Sequence, residues 1–249
     1  PMPVEDFIAR VTQDQPQAPK YFGFDAVLNR KNRGVLDVAV KNGLRALSAS
    51  EFLQLRDGGA QVIDTRESDD FARGSVRGAV HVPLSGSFAT WSGAMLDLQR
   101  PILVIAEAGK QEEAVVRLGR IGIDTAVGYL EGGVPALAGH PHALQHHRVI
   151  DVDELQDLID AEQPVHLLDV RTPTEFESGH IEGAKHIPLI QLTERIAEVP
   201  KDTRVYVICR TGARSSTAIS MLMQAGLSDL VNVRGGMSRW LEHTQPTNS

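Results

Sequence analysis

The sequence predicts an α/β fold in two copies, each a parallel β-sheet flanked by helices on both sides. Three observations predict it. The chain repeats itself: Val62-Ile63-Asp64-Thr65-Arg66 returns as Leu167-Leu168-Asp169-Val170-Arg171. Phe71, Gly74, Gly78-Ala79, His81 and Pro83-Leu84 then return as Phe176, Gly179, Gly183-Ala184, His186 and Pro188-Leu189, at an offset of about 105 residues. Apolar runs such as Val165-His166-Leu167-Leu168-Asp169-Val170 are nearly continuous, as strands covered on both faces are. These runs alternate with helical patterns, the βα order that builds a parallel sheet.

Taken in order, each copy opens on a capping box, Ser48-x-x-Glu51 and Asp151-x-x-Glu154, leading into an amphipathic helix. In the second copy helices are expected at 152–161, 191–197 and 215–225, and strands at 165–170, 205–209 and 230–233. Ile102-Leu103-Val104-Ile105 matches Val205-Tyr206-Val207-Ile208, and Gly132-Gly133 matches Gly235-Gly236. The expected domains are an extension over 1–43, a first domain over 44–138, a linker over 139–147 and a second domain over 148–249. The linker holds His140, His142, His146 and His147 without a metal-ligand spacing and reads as a solvated connection.

Composition narrows the class. At 249 residues, 42% apolar and 23% charged, the chain has the make-up of a globular protein large enough for two cores. A net charge of −7 without a Lys/Arg stripe argues against nucleic acid as a partner. One cysteine excludes an internal disulfide. No stretch has the length of a membrane span, and Pro1-Met2-Pro3-Val4-Glu5-Asp6 lacks the order of a signal peptide, so a cytoplasmic protein without a membrane partner is expected. A start at proline fits a segment of a longer polypeptide.

That cysteine, Cys209, ends the apolar run Val205–Ile208 and is followed by Arg210-Thr211-Gly212-Ala213-Arg214-Ser215. A strand that passes through a short glycine-containing loop into a helix aims the sulfur at backbone N–H groups and at the positive end of the helix. Arg210 and Arg214 add charge, and all three influences favour thiolate over thiol. The cradle would also bind a small anion. The first copy has Ala106 opposite Cys209, and Glu107 opposite Arg210. It keeps the scaffold and lacks the nucleophile.

Three stretches of the second copy resemble the rhodanese-like sulfurtransferases, in tandem form. His180-Ile181-Glu182-Gly183-Ala184-Lys185-His186-Ile187-Pro188 is similar to the family's H-I-x-G-A-x-x-I-P segment, with Glu182 where proline is usual. Cys209–Arg214 resembles its active loop, and Gly235-Gly236-Met237-Ser238-Arg239-Trp240 its closing motif. The resemblance implies an inactive first and an active second rhodanese domain. It implies transfer of a sulfane sulfur from thiosulfate or a low-molecular-weight persulfide, through a Cys209 persulfide, to a thiol or cyanide. Arg210, Thr211, Gly212, Ala213 and Arg214 would then bind substrate, and no metal or organic cofactor is implied. Arg171 is a candidate substrate contact, with Asp169 and Ser215 in support, although an Asp169–Arg171 structural pair accounts for the same residues. Glu175 and His186 read as scaffold, and Trp240 as a core anchor.

Tyr21-Phe22-Gly23-Phe24-Asp25-Ala26-Val27-Leu28-Asn29-Arg30 resembles the join at which a metallo-β-lactamase-like persulfide dioxygenase domain precedes tandem rhodanese domains. Such a domain is a candidate partner in cis. Two other functions share the fold: a phosphatase or arsenate reductase, and a rhodanese-like interaction module without turnover. Four residues lie between Cys209 and Arg214, one fewer than in related phosphatases, which favours sulfur over phosphate.

Overall fold

The computed structural model describes residues 2–6 and 36–244. The dioxygenase-join resemblance over Tyr21–Arg30 and most of the expected extension lie outside them. After helix α1 (Leu36–Gly43) the first half runs β1 (Ala46–Leu47), α2 (Ala49–Asp57), β2 (Gln61–Asp64), α3 (Ser68–Arg73), β3 (Ser75–Val76) and β4 (Val80–His81). It continues through α4 (Phe88–Met95), β5 (Ile102–Ile105), α5 (Gln111–Arg120) and β6 (Ala126–Leu130). Strand β7 (Leu144–Gln145) leads to the second half: β8 (Arg148–Asp151), α6 (Val152–Asp160), β9 (His166–Asp169), α7 (Pro173–Glu177) and β10 (Lys185–His186). There follow α8 (Leu192–Arg195), β11 (Val205–Ile208), α9 (Ala213–Gln224), β12 (Leu230–Arg234) and α10 (Gly236–Thr244).

Both halves build the same five-stranded parallel sheet. The orders β1-β6-β5-β2-β4 and β8-β12-β11-β9-β10 match strand for strand. Alternation along each strand splits its side chains between two helix layers. In β5, Leu103 and Ile105 join one core cluster while Ile102 and Val104 join another. In β11, Val205 and Val207 face one cluster and Tyr206 and Ile208 the other.

Several boundaries differ from the expected ones for local reasons. Helix α9 begins at Ala213 because Gly212, at φ 109°, takes a left-handed conformation that stops the chain from being helical earlier. The helix expected at 191–197 is one α turn between two 3-10 turns, in a segment bounded by Pro188 and Pro200. The Asp151 box forms, with Glu154 Oε2 accepting the Asp151 N–H at 3.2 Å. At Ser48 only the hydroxyl half forms, and Glu51 turns instead to Arg45.

The histidine-rich connection is not a solvated linker. Residues 144–145 pair antiparallel with β3, and Ala143 enters the first core. His147 is 7% exposed and lies 5.6 Å from the Phe71 ring, while His140 is half-buried and His142 and His146 are exposed. Alternation of polar and apolar residues is weak here, so this burial comes from the tertiary contact.

The halves pack through α9. It lies between its own sheet and the first half, and its residues 215–222 are all buried. The His81 backbone N–H donates to Ser220 Oγ at 3.0 Å, and Gln224 Nε2 donates to Gly78 O at 2.8 Å. Arg234 bridges Asp69 of the first half and Asp151 of the second. Among the described residues, no helix is long and apolar enough to cross a membrane.

Candidate active site

Cys209 continues the alternation of β11, so its side chain falls on the Val205 and Val207 face, under α9. It is 1% exposed. The Gly212 N–H donates to Sγ at 3.1 Å and is the one backbone donor to the sulfur among the described residues. The loop is held from behind by the start of α10: the Met237 N–H reaches Cys209 O at 2.8 Å and the Ser238 N–H reaches Arg210 O at 2.9 Å. Gly236 permits that approach, since a side chain there would collide with the backbone of Cys209 and Arg210.

The two loop arginines have different duties. Arg214 forms a two-pronged pair with Glu175, both N···O distances being 2.7 Å. Glu175 is fixed by a second capping box, in which its Oε2 accepts the Thr172 N–H at 3.0 Å and the Thr172 hydroxyl at 2.9 Å. The Arg214 guanidinium, with lesser help from Thr172, pushes the Glu175 carboxyl down to about 2. Arg214, expected from the sequence to bind substrate, is thus held as a brace by Glu175 while its charge still acts on Cys209. Arg210 is exposed and its guanidinium makes no hydrogen bond or ion pair among the described residues. Thr211 is also exposed, and Ala213 is half-buried.

Of the two readings of Arg171, substrate contact or structural pair with Asp169, the geometry shows the pair. Arg171 is 4% exposed, its Nε and Nη2 bind Asp169, and the rest of its guanidinium reaches the carbonyls of Glu175 and Gly179 at 3.0 and 2.8 Å. Together Asp169 and Arg171 clamp the turn that carries α7. His186 adds to it, its Nε2 lying 2.9 Å from Arg171 O.

Under the cradle lies a polar pair of which the sequence pattern reveals only the serine. Ser215 Oγ sits 3.5 Å from Cys209 Sγ, 3.0 Å from Gly212 O and 2.6 Å from Asn232 Oδ1. Asn232 Nδ2 in turn donates to Gly212 O at 3.1 Å. Sequence reasoning misses Asn232 because it lies inside the apolar strand β12; a lone amide in such a run is the available signal, since buried amides need partners.

The corresponding place in the first half is a cavity of about 250 Å³ lined by Glu67, Glu107, Glu113, Lys110, Ser85, Thr65 and Leu84. Ala106 ends the strand in place of the sulfur, and Lys110 is paired with Glu113 at 3.0 Å. The surplus of carboxylates repels anions.

Comparison with known proteins decides the family. The rhodanese-like domain family matches residues 48–140 and again 151–243. The chain belongs to the rhodanese-like family. It carries two such domains in series. It is 39% identical over 97 residues to a sulfurtransferase of Allochromatium vinosum, covering 39% of this chain and 91% of that protein. A putative sulfurtransferase of Bacillus subtilis, YtwF, is 35% identical over 99 residues, which are 40% of this chain and 95% of that one. The probable adenylyltransferase/sulfurtransferase MoeZ of Mycobacterium tuberculosis is 40% identical over 95 residues, and there the match spans 37% of this chain and only 24% of the relative. Among solved structures, a rhodanese-like domain protein from Staphylococcus aureus is 35% identical with a TM-score of 0.36, over 37% of this chain and 90% of that chain.

Proposed function

We propose that the chain is a sulfurtransferase in which Cys209 carries the sulfur as a persulfide. The observation that carries this reading is the cysteine sulfur at the head of α9, receiving the Gly212 N–H, with Arg210 next in the loop, exposed and without a side-chain partner among the described residues. The sulfurtransferase names of the relatives support the same class of reaction.

The Cys209 thiolate attacks the outer sulfur of thiosulfate or of a low-molecular-weight persulfide. A new S–S bond forms as the old one breaks, and sulfite or a thiolate leaves with the bonding pair. The persulfide anion rests on the loop N–H groups until a thiol or cyanide takes its outer sulfur and returns the Cys209 thiolate. Arg210 attracts the anionic donor; Thr211, Gly212 and Ala213 supply the loop; Arg214 braces it through Glu175. Both half-reactions use one site, so ping-pong kinetics are expected.

In the same reading, the first domain (44–138) is inactive and covers the outer face of α9, the connection is 139–147, and the active domain is 148–249. Residues 1–43 join a persulfide dioxygenase domain in cis, and a reducing, cytoplasmic setting keeps the lone thiol working. The phosphatase reading is not favoured, because the loop is short and its second arginine is already bound to Glu175.

The test is intact-protein mass spectrometry after incubation with thiosulfate or glutathione persulfide. A gain of one sulfur atom, removed by cyanide and absent from Cys209→Ser, supports the reading. No gain with either donor overturns it.

A further inference from the structure

We infer that Asn232 is a positioning residue that sets the reactivity of Cys209 by competing with the sulfur for the proton of Ser215. This rests on the reading of Cys209 as the reactive sulfur.

The geometry fixes the direction of each bond. Gly212 O can only accept, so the Asn232 amide must turn its Nδ2 towards it, at 3.1 Å. Oδ1 is then left facing Ser215 Oγ at 2.6 Å, and the serine hydroxyl must donate. A hydroxyl has one proton. With it given to Asn232, Ser215 presents lone pairs to Cys209 Sγ at 3.5 Å, an arrangement that suits a thiol S–H and opposes an anionic sulfur. When the sulfur is anionic, the hydroxyl turns to it, and Asn232 Oδ1 loses its donor in a buried site, Asn232 being 1% exposed. Each state of the sulfur thus favours a different partner for one proton.

The first half offers an internal contrast. Tyr129 pairs with Val104 in the register where Asn232 pairs with Val207, and no sulfur lies above it. The amide is present in the half that holds the cysteine.

The experiment is the pH profile of Cys209 alkylation by iodoacetamide, a neutral reagent, in the full chain. Replacing Asn232 by leucine removes the nearest competing acceptor, at 2.6 Å, and leaves the Ser215 proton to be shared between the sulfur and Gly212 O, 3.0 Å away. Alkylation at mildly acidic pH should rise about threefold to tenfold in Asn232→Leu, the size of one ordinary hydrogen bond shared with a second acceptor. Ser215→Ala should shift the profile the other way. The double variant should match Ser215→Ala alone, because Asn232 acts through the serine. Asn232→Ala is read in the same way should the leucine variant not fold. A profile unmoved by either Asn232 variant, or equal effects of Asn232→Leu with and without Ser215, overturns the inference while leaving the sulfurtransferase reading intact. A Cys209 inert to alkylation in every form, together with no sulfur gain from thiosulfate or glutathione persulfide, overturns both.

Discussion

The two halves share a sheet order, an Asp-x-Arg clamp and a histidine beneath it, and differ at the loop that follows the central strand. Arg66 holds Asp64 and Gly74 O in the first half just as Arg171 holds Asp169 and Gly179 O in the second. His81 and His186 each place Nε2 2.9 Å from the carbonyl of the clamp arginine. The clamp therefore belongs to the scaffold, since it survives where there is no sulfur to serve. What separates the halves is local: Ala106 for Cys209, Glu107 for Arg210, Gln111 for Arg214 and Tyr129 for Asn232.

The largest effect should come from the sulfur itself. Cys209→Ser should lower sulfur transfer by about a thousandfold or more, as loss of a nucleophile does. Adding Ala106→Cys to that variant should not restore it, because Glu107 stands beside the new thiol and the cavity is acidic. A persulfide at position 106 of the double variant, seen in the mass spectrum, would show that the scaffold suffices and would break the contrast.

The next effect is on stability in acid. Phe71 stacks on His81 at 4.4 Å and makes a tilted contact with His147 at 5.6 Å, all three buried. Burial, their largest influence, lowers both histidines from 6.5 to about 4. Their folded values lie below the unfolded one, so the unfolded chain binds the extra protons between those limits. Stability is full above pH 6.5 and falls as pH drops towards 4, by about 3 kcal/mol for each histidine. In the second half, the counterpart Phe176 lies between His180, which is exposed, and His186, which is only half-buried. Hydrogen exchange at pH 5 should therefore show the first half opening before the second, and His147→Phe should reduce the difference. Simultaneous opening would count against the stack as its cause.

A smaller effect is expected at the loop charge. Arg210→Glu, which copies the first half, should raise KM for thiosulfate about tenfold or more while leaving kcat nearly unchanged. An unchanged KM would remove Arg210 from donor binding.

The smallest concerns the brace. Glu175→Gln should cost about 1 kcal/mol, discounted for partial exposure, and should lower KM for anionic donors by freeing Arg214. In the wild type the pair is at full strength above pH 4.5 and weakens as pH falls towards 2, the carboxyl being held low in the folded state. Thermal melts at two pH values check the first part, and initial rates the second.

Much of the fold is legible in the sequence because its signals are local. Val205–Ile208 and Ile102–Ile105 are apolar throughout, and their repetition with the Gly-Gly ending exposes the duplication without knowledge of any contact. The cradle is legible because a strand, a glycine and a helix start follow one another in the chain. Partners far apart in the chain are not. Thr172-x-x-Glu175 is a readable capping box, but its carboxylate meeting Arg214 depends on two elements 39 residues apart. His147 reads as a polar residue among polar residues, and its burial comes from Phe71 and His81 on another segment. Asn232 looks like an interruption in a strand until Gly212 and Ser215 are placed over it.

Helix α9 is enclosed on both sides for residues 215–222, and its first turn forms the floor of the sulfur site. Amide hydrogens along such a helix have no shallow route to solvent, so they exchange when the two halves part and not by fraying. Deuterium uptake there should keep time with the opening of the interface between the halves. The half without a cysteine thus governs how long the sulfur pocket stays assembled.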